Sequence, residues 1–326
     1  MKRLFRKVAL TAAITGSILA TSAQAEIRWD MPTPYVDSIH HTQNIREFVK
    51  DINAATKGEL TINVHSGGSL FKHKEIPRAV RSGQVQIGEM LIGIMGNQNP
   101  IFKLDNLPFL ATSFDQAEKL WQVSRPEVEK ALDKEGMKLL YSVPWPPQGI
   151  YSKNKIADVK DLNSTKMRAY SATTSRLAVL LGASPTTVQT VEVPQAFSTG
   201  IIDTMITSPS TGVSSQAWDY VNNYTDVQAW LPKNMVVVNK RAFRRLPKEL
   251  QNSIVTAAKA AEQRGWDKAR KETAQKTAEL SNNGIQVALP TEHLMEQLNQ
   301  VGETMTSEWL KESGSAGQTV ISAYKK

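Results

Sequence analysis

Apolar residues recur along the chain in two alternating periods. Ile27-Arg28-Trp29-Asp30 reads as a first strand, which Pro32 and Pro34 break into a loop. Over residues 38–56 the period lengthens, with Ile45, Phe48, Val49 and Ile52 at helical spacing and Gly58 closing the helix. Leu60, Ile62 and Val64 alternate again before a Gly67-Gly68 turn. A helix over Lys74 to Arg81 then leads through Gly83 to a strand at Val85 to Leu91. This βαβαβ order predicts an α/β domain with a mainly parallel sheet, because strands separated by helices pair through crossovers.

Phe114 to Trp121 and Pro126 to Lys134 read as two surface helices, followed after Gly136 by a strand at Met137 to Val143. Pro144-Trp145-Pro146-Pro147 has too many fixed φ angles and too few N–H donors to continue either element, and reads as a crossover between domains. Beyond it the alternation resumes without repeating the sequence. Thr165 to Tyr170 is a strand, Thr174 to Leu181 a helix, Ser184 to Val188 a short strand and Pro194 to Thr199 a helix. Gly200 to Ile206 is a buried strand, Ser208-Pro209 opens another helix, and Met235 to Asn239 is a strand returning to the first domain. From Pro247 a helix-forming run extends to Asn282-Asn283-Gly284. At a rise of about 1.5 Å per residue it reaches roughly 50 Å, enough to brace both domains. The expected organisation is one lobe of residues 26–143 with 232–246 returning to it, a second lobe of 144–231, a long helix at 247–283, and a C-terminal strand and helices at 284–326.

The first 25 residues change the picture of the charge. Lys2, Arg3, Arg6 and Lys7 precede an apolar stretch from Val8 to Leu19, and Ala23-Gln24-Ala25 supplies a small-x-small pattern. That layout predicts a signal peptide cleaved after Ala25 and a periplasmic protein, the apolar stretch being shorter than the roughly 20 residues that span a bilayer. Removal leaves 301 of the 326 residues, enough for two domains, and lowers the formal net charge from +8 to +4. Acidic and basic residues alternate through the remainder, with no basic block of the kind that marks nucleic-acid contact. The chain has no cysteine, which excludes disulfides, thiolate metal sites and cysteine nucleophiles.

Candidate chemistry is sparse. His40-His41 invites a metal, but neighbours on a helix diverge by about 100°. His65 and His73 are separated by a glycine turn, with no acidic pair at ligand spacing. No Gly-x-Ser-x-Gly, phosphate-binding loop or His-Glu-x-x-His occurs. Two segments stand out. Met167-Arg168-Ala169-Tyr170 puts Arg168 and Tyr170 on one face near the carboxyl end of a strand, where open α/β sheets collect ligands. An arginine there holds a carboxylate by two parallel hydrogen bonds, a surface salt bridge being the plainer alternative. Ser208-Pro209 fits an N-cap and first helical residue beside Thr207, which serves either polar-ligand binding or simple capping.

With these blocks in order, the chain resembles the extracytoplasmic solute-binding subunit of tripartite ATP-independent periplasmic (TRAP) transporters, the family named for dicarboxylate uptake. The blocks are Gly67-Gly68-Ser69-Leu70, Val80-Arg81-Ser82-Gly83-Gln84-Val85-Gln86-Ile87, Leu107-Pro108-Phe109, Asp161-Leu162 with Lys166-Met167-Arg168, Leu181-Gly182-Ala183-Ser184-Pro185 and Thr199-Gly200-Ile201-Ile202-Asp203. The resemblance implies an α/β, two-lobed periplasmic-binding-protein fold with hinge strands and a long helix spanning both lobes. It implies a small organic acid as solute, TRAP membrane subunits as partners, no cofactor, and Arg168 as the carboxylate clamp. Many members carry a ligand-touching asparagine after the Gly-x-x-Asp strand; here Thr207 or Ser208 stands in that place. Many also carry a second arginine where Gln148-Gly149-Ile150-Tyr151 offers Tyr151, which favours a monocarboxylate over a dicarboxylate. Trp145, Tyr170 and Trp230 either line the cleft or pack the hinge and core. A secreted α/β enzyme acting on a small carboxylate is the alternative function.

Overall fold

The computed structural model describes residues 26–326. The expected signal peptide and its cleavage after Ala25 lie outside the described residues. The first lobe begins with β1 (Ile27–Pro32), α1 (His40–Ala55), β2 (Leu60–His65), α2 (Ile76–Ser82), β3 (Ile87–Leu91), α3 (Phe114–Lys134) and β4 (Met137–Pro144). The second contains β5 (Gly149–Ser152), β6 (Lys166–Ala169), α4 (Ala172–Leu180), β7 (Ser184–Thr187), α5 (Val193–Ser198), β8 (Thr204–Thr207), α6 (Pro209–Ser214) and β9 (Asn223–Thr225). The chain then supplies β10 (Lys233–Asn239), α7 (Lys240–Arg245), α8 (Lys248–Asn282), β11 (Gln286–Ala288) and α9 (Glu292–Tyr324).

In the first lobe β1 and β2 pair in parallel, as helix-separated strands do, but β3 pairs antiparallel with β10, which pairs antiparallel with β4. The expectation of a mainly parallel sheet fails there because the partner of β3 arrives from the second lobe running the opposite way. Ile45, Phe48 and Ile52 of α1 bury one helical face against Trp29, Leu60, Ile62 and Val236. The second-lobe sheet runs β11-β9-β5-β8-β6-β7, so the C-terminal strand joins its edge.

Two local expectations are corrected. Residues 114–134 form one helix through Pro126, although a proline has no N–H for the preceding turn. Leu120, Trp121, Val128 and Leu132 are buried on both sides of it, and this packing carries the helix across the break. The strand expected from Gly200 starts only at Thr204. Gly200, at φ 67°, ends α5 in a left-handed turn, with Ile201 N–H returning to Ala196 O, and Ile201 is 50% exposed.

Two segments join the lobes side by side. Trp145 N–H donates to Pro232 O, Gln148 N–H to Trp230 O, and Ala229 N–H to Gln148 O. The α8 helix crosses this junction. On the first lobe Trp266 Nε1–H donates to Ser142 O, and Gly265 packs so closely on Val143 that a Cβ would collide with it. On the second, Glu272 accepts from Ser210 Oγ–H at 2.6 Å while His40 Nδ1 of α1 lies 3.0 Å from the same carboxylate. Among the described residues no helix is long and apolar enough to cross a membrane.

Candidate functional site

A cavity lies between the lobes, beside the paired crossovers. The first lobe contributes Tyr35, His73 and Leu91, the crossovers Trp145, Gln148 and Pro232, and the second lobe Arg168, Tyr170, Gln189, Thr190, Thr207, Ser208 and Thr211.

Arg168 sits in β6, two residues before the turn into α4, and is only 3% exposed. Its Nε–H donates to Val188 O at 3.1 Å and Nη2 to Thr190 Oγ1 at 3.3 Å, and its guanidinium lies 5.3 Å from the Tyr170 ring centroid. Burial pulls its pKa below the ordinary arginine value. Among the described residues it has no carboxylate within ion-pair distance, and its burial rules out the surface salt bridge left open by the sequence. With Nε and one side of Nη2 engaged, the outer edge formed by Nη1 and Nη2 is left for a planar anion.

Tyr170 lines the same cavity; its hydroxyl accepts from Trp230 Nε1–H at 3.2 Å and donates to Gln148 Oε1 at 3.4 Å. Burial raises its pKa. Thr207 ends β8, and Ser208 caps α6 by accepting from Thr211 N–H at 3.1 Å, so the capping seen in the sequence and a place in the cavity wall coincide. Trp145 lines the cavity with its indole N–H turned to Asn234 Oδ1 at 2.9 Å.

Tyr151 is corrected: it does not reach the cavity. It is fully buried in the second-lobe core against Tyr224, and its hydroxyl donates to Ser208 O at 3.1 Å, supporting the start of α6 from behind. Trp230 likewise packs behind Tyr170 in the core.

The first-lobe wall is backed by a buried polar network. Asn234 Nδ2–H donates to Glu89 Oε1 at 3.0 Å, which fixes the amide so that its Oδ1 accepts from both Trp145 Nε1–H and Tyr35 O–H. Glu89 also accepts from the Thr33 hydroxyl at 2.5 Å, and burial pushes its pKa up to about 7. His40 and His41 are buried around Trp145, and burial holds His41 well below its ordinary pKa. Among the described residues no cluster of three potential ligands could hold a metal ion.

Sequence reasoning missed Tyr35, Leu91, Gln148, Gln189, Thr190, Thr211 and Pro232, and set His73 aside as an ordinary polar histidine. Gln148 had one usable signal, the proline-rich crossover Pro144-Trp145-Pro146-Pro147 that it follows. Leu91 ends β3 and Thr211 lies in the first turn of α6, while Tyr35, Gln189, Thr190 and Pro232 occupy irregular or single-turn segments, and the approach of all of them depends on how the lobes meet.

The sequence matches the family model described as bacterial extracellular solute-binding protein, family 7, over residues 36–312. Three solved structures superpose closely. One is a Bordetella pertussis extracytoplasmic solute receptor binding pyroglutamic acid, 50% identical with a TM-score of 0.91, covering 92% of this chain and 99% of that one. A second pyroglutamic acid receptor from the same organism is 44% identical, with a TM-score of 0.90 and coverage of 91% and 99%. A marine metagenome TRAP solute-binding protein specific for pyroglutamate is 34% identical, with a TM-score of 0.91 and coverage of 92% and 99%.

Proposed function

This chain belongs to family 7 of the bacterial extracellular solute-binding proteins, and on that premise we propose that it captures pyroglutamate, or a closely similar small cyclic monocarboxylate, for a TRAP transporter. The observation that carries the assignment is the cavity's charge. Among the described residues that line it, Arg168 is the only permanently charged side chain, buried and bonded to two neutral oxygens. A cation so placed offers strong charge-assisted bonds to one carboxylate, which loses its water between the lobes and needs them. Tyr35, Leu91, Trp145 and Pro232 supply apolar surface for a ring, and Gln148, Thr207 and Ser208 supply polar groups for its other atoms. Three solved receptors at 34–50% identity are described as binding pyroglutamate, which favours that acid among small monocarboxylates.

In this reading the mature protein is exported to the periplasm, residues 26–143 and 232–246 form one lobe, and 144–231 form the other. Trp145, Tyr170, Thr207 and Ser208 share the ligand with Arg168, Tyr151 supports Ser208, and the lobes close by rotation about the paired crossovers. Delivery to the membrane subunits leaves the ligand unchanged, in contrast to the enzyme alternative. A thermal-unfolding screen of L-pyroglutamate against keto, hydroxy, sugar and aromatic acids tests it. Pyroglutamate at about a hundredfold excess over its dissociation constant should add about 2.7 kcal/mol and be recovered intact. A larger response to another class, or a converted ligand, would overturn the assignment.

A further inference from the structure

Resting on the organic-acid reading above, we propose that His73 is a specificity residue. Its Nδ1–H is a fixed donor for a neutral acceptor on the end of the ligand opposite the carboxylate, the lactam oxygen in the case of pyroglutamate.

The tautomer follows from one hydrogen bond. Leu91 backbone N–H donates to His73 Nε2 at 3.0 Å. A ring nitrogen accepts only when it carries no proton, so a neutral His73 has its proton on Nδ1. The charged form would set two N–H groups against each other. It is further opposed by burial and by the nearby cations Arg168 and Lys74, which lower the His73 pKa to about 3. His73 is therefore a donor with a set direction throughout the neutral range. Nδ1 has no protein partner among the described residues, and the residue lines the cavity.

The other polar groups of that wall are already engaged. Tyr35 O–H and Trp145 Nε1–H both donate to Asn234 Oδ1, and Asn234 is held in that orientation by Glu89. Among the first-lobe side chains that line the cavity, His73 is the one with a donor left to offer. Arg168 belongs to the opposite lobe, so an acid gripped by both residues ties the lobes together. An acid with no acceptor at its far end would leave Nδ1–H desolvated and unpaired on closure. Sites built to hydrogen-bond a substrate group reject the analogue that lacks it for this reason.

The test compares L-pyroglutamate with cyclopentanecarboxylate, which keeps the carboxylate and ring size but has no lactam. Dissociation constants are measured for the wild type, His73→Phe and His73→Asn. The wild type should prefer pyroglutamate, and His73→Phe should cut that preference by about 10- to 100-fold, the scale of one buried hydrogen bond left unmade. His73→Asn, whose amide N–H falls near the lost Nδ1–H, should recover part of it. An unchanged preference in folded His73→Phe overturns the role. Nitrogen-resolved NMR of the wild-type imidazole needs neither variant nor ligand: it should show the proton on Nδ1, and a proton on Nε2 overturns the proposal by itself. Failure of the wild type to bind pyroglutamate would instead refute the ligand assigned in the preceding subsection.

Discussion

Arg168 is the residue on which affinity should depend, and the structure sets the size of the effect. Its guanidinium already spends Nε–H on Val188 O and one Nη2 bond on Thr190 Oγ1. A carboxylate docking on the remaining edge gains two charge-assisted hydrogen bonds, each worth about 1.5–3 kcal/mol. Arg168→Ala removes both and leaves a desolvated carboxylate, so affinity should fall by at least about 3 kcal/mol, or more than about a hundredfold. Arg168→Lys keeps the charge, but a single ammonium cannot serve Val188 O, Thr190 Oγ1 and both carboxylate oxygens in one plane. It should lose about 10- to 100-fold, the cost of one such bond.

The same contacts predict the effect without ligand. Arg168 neutralises no buried acid, and a buried cation with two neutral acceptors contributes little to folding. Ligand-free Arg168→Ala should therefore lie within about 1 kcal/mol of the wild type, a few degrees at most in melting temperature. Calorimetric titration with pyroglutamate, together with melting curves of the ligand-free proteins, measures both quantities. Near wild-type affinity in Arg168→Lys would refute the need for a planar fork. A large stability loss in ligand-free Arg168→Ala would make the residue structural.

Three further outcomes follow from the buried groups around the site. Burial raises the Glu89 pKa from the ordinary 4.5 to about 7, so its contribution to stability is fully present below about pH 4.5 and lost as pH rises through 7. Glu89→Gln should remove about 3 kcal/mol of that pH dependence, read from urea unfolding at pH 5, 6.5 and 8. Tyr151→Phe removes the bond to Ser208 O and should cost about 1 kcal/mol of stability while changing pyroglutamate affinity less than about threefold; a tenfold loss of affinity would return Tyr151 to the ligand. Gly265→Ala drives a methyl into Val143 where α8 crosses β4 and should destabilise by about 1–3 kcal/mol despite alanine's better helix propensity, which chemical denaturation would register.

How much of this was legible depends on whether a feature is local. The face of α1 is written in Ile45, Phe48 and Ile52, and the length of α8 in an unbroken helix-forming run with a proline start and an Asn-Gly stop. The segments around Arg168 and Ser208 could be found because strand alternation and N-capping are near-neighbour effects. The antiparallel pairing of β3 with β10 could not, because the two strands are joined only through the whole second lobe. Tyr151 was misplaced for a different reason. All four residues of β5 are buried, so no polar alternation marks which face meets the cavity and which meets α6. His73 gave no signal because its role depends on Leu91, across the turn and α2.

These groups together make a cavity suited to one negative charge. Arg168 brings a single positive charge, His73 and His41 are held neutral, and the Glu89 carboxyl is pushed toward its neutral form. A monocarboxylate closing onto Arg168 pairs the one permanent charge among the described residues that line the cavity. A dicarboxylate brings a second anion, and among the described residues that line the cavity none offers a second permanent cation, while the buried Tyr151 has its hydroxyl committed to Ser208 O. Burying that anion unpaired costs several kcal/mol, a discrimination of about a thousandfold or more. A monocarboxylate of the wrong shape forfeits only single contacts, at about 1–3 kcal/mol each. Charge count, more than shape, should therefore decide which acids the receptor rejects most strongly, and the lactam contact at His73 should then rank those that carry the right charge.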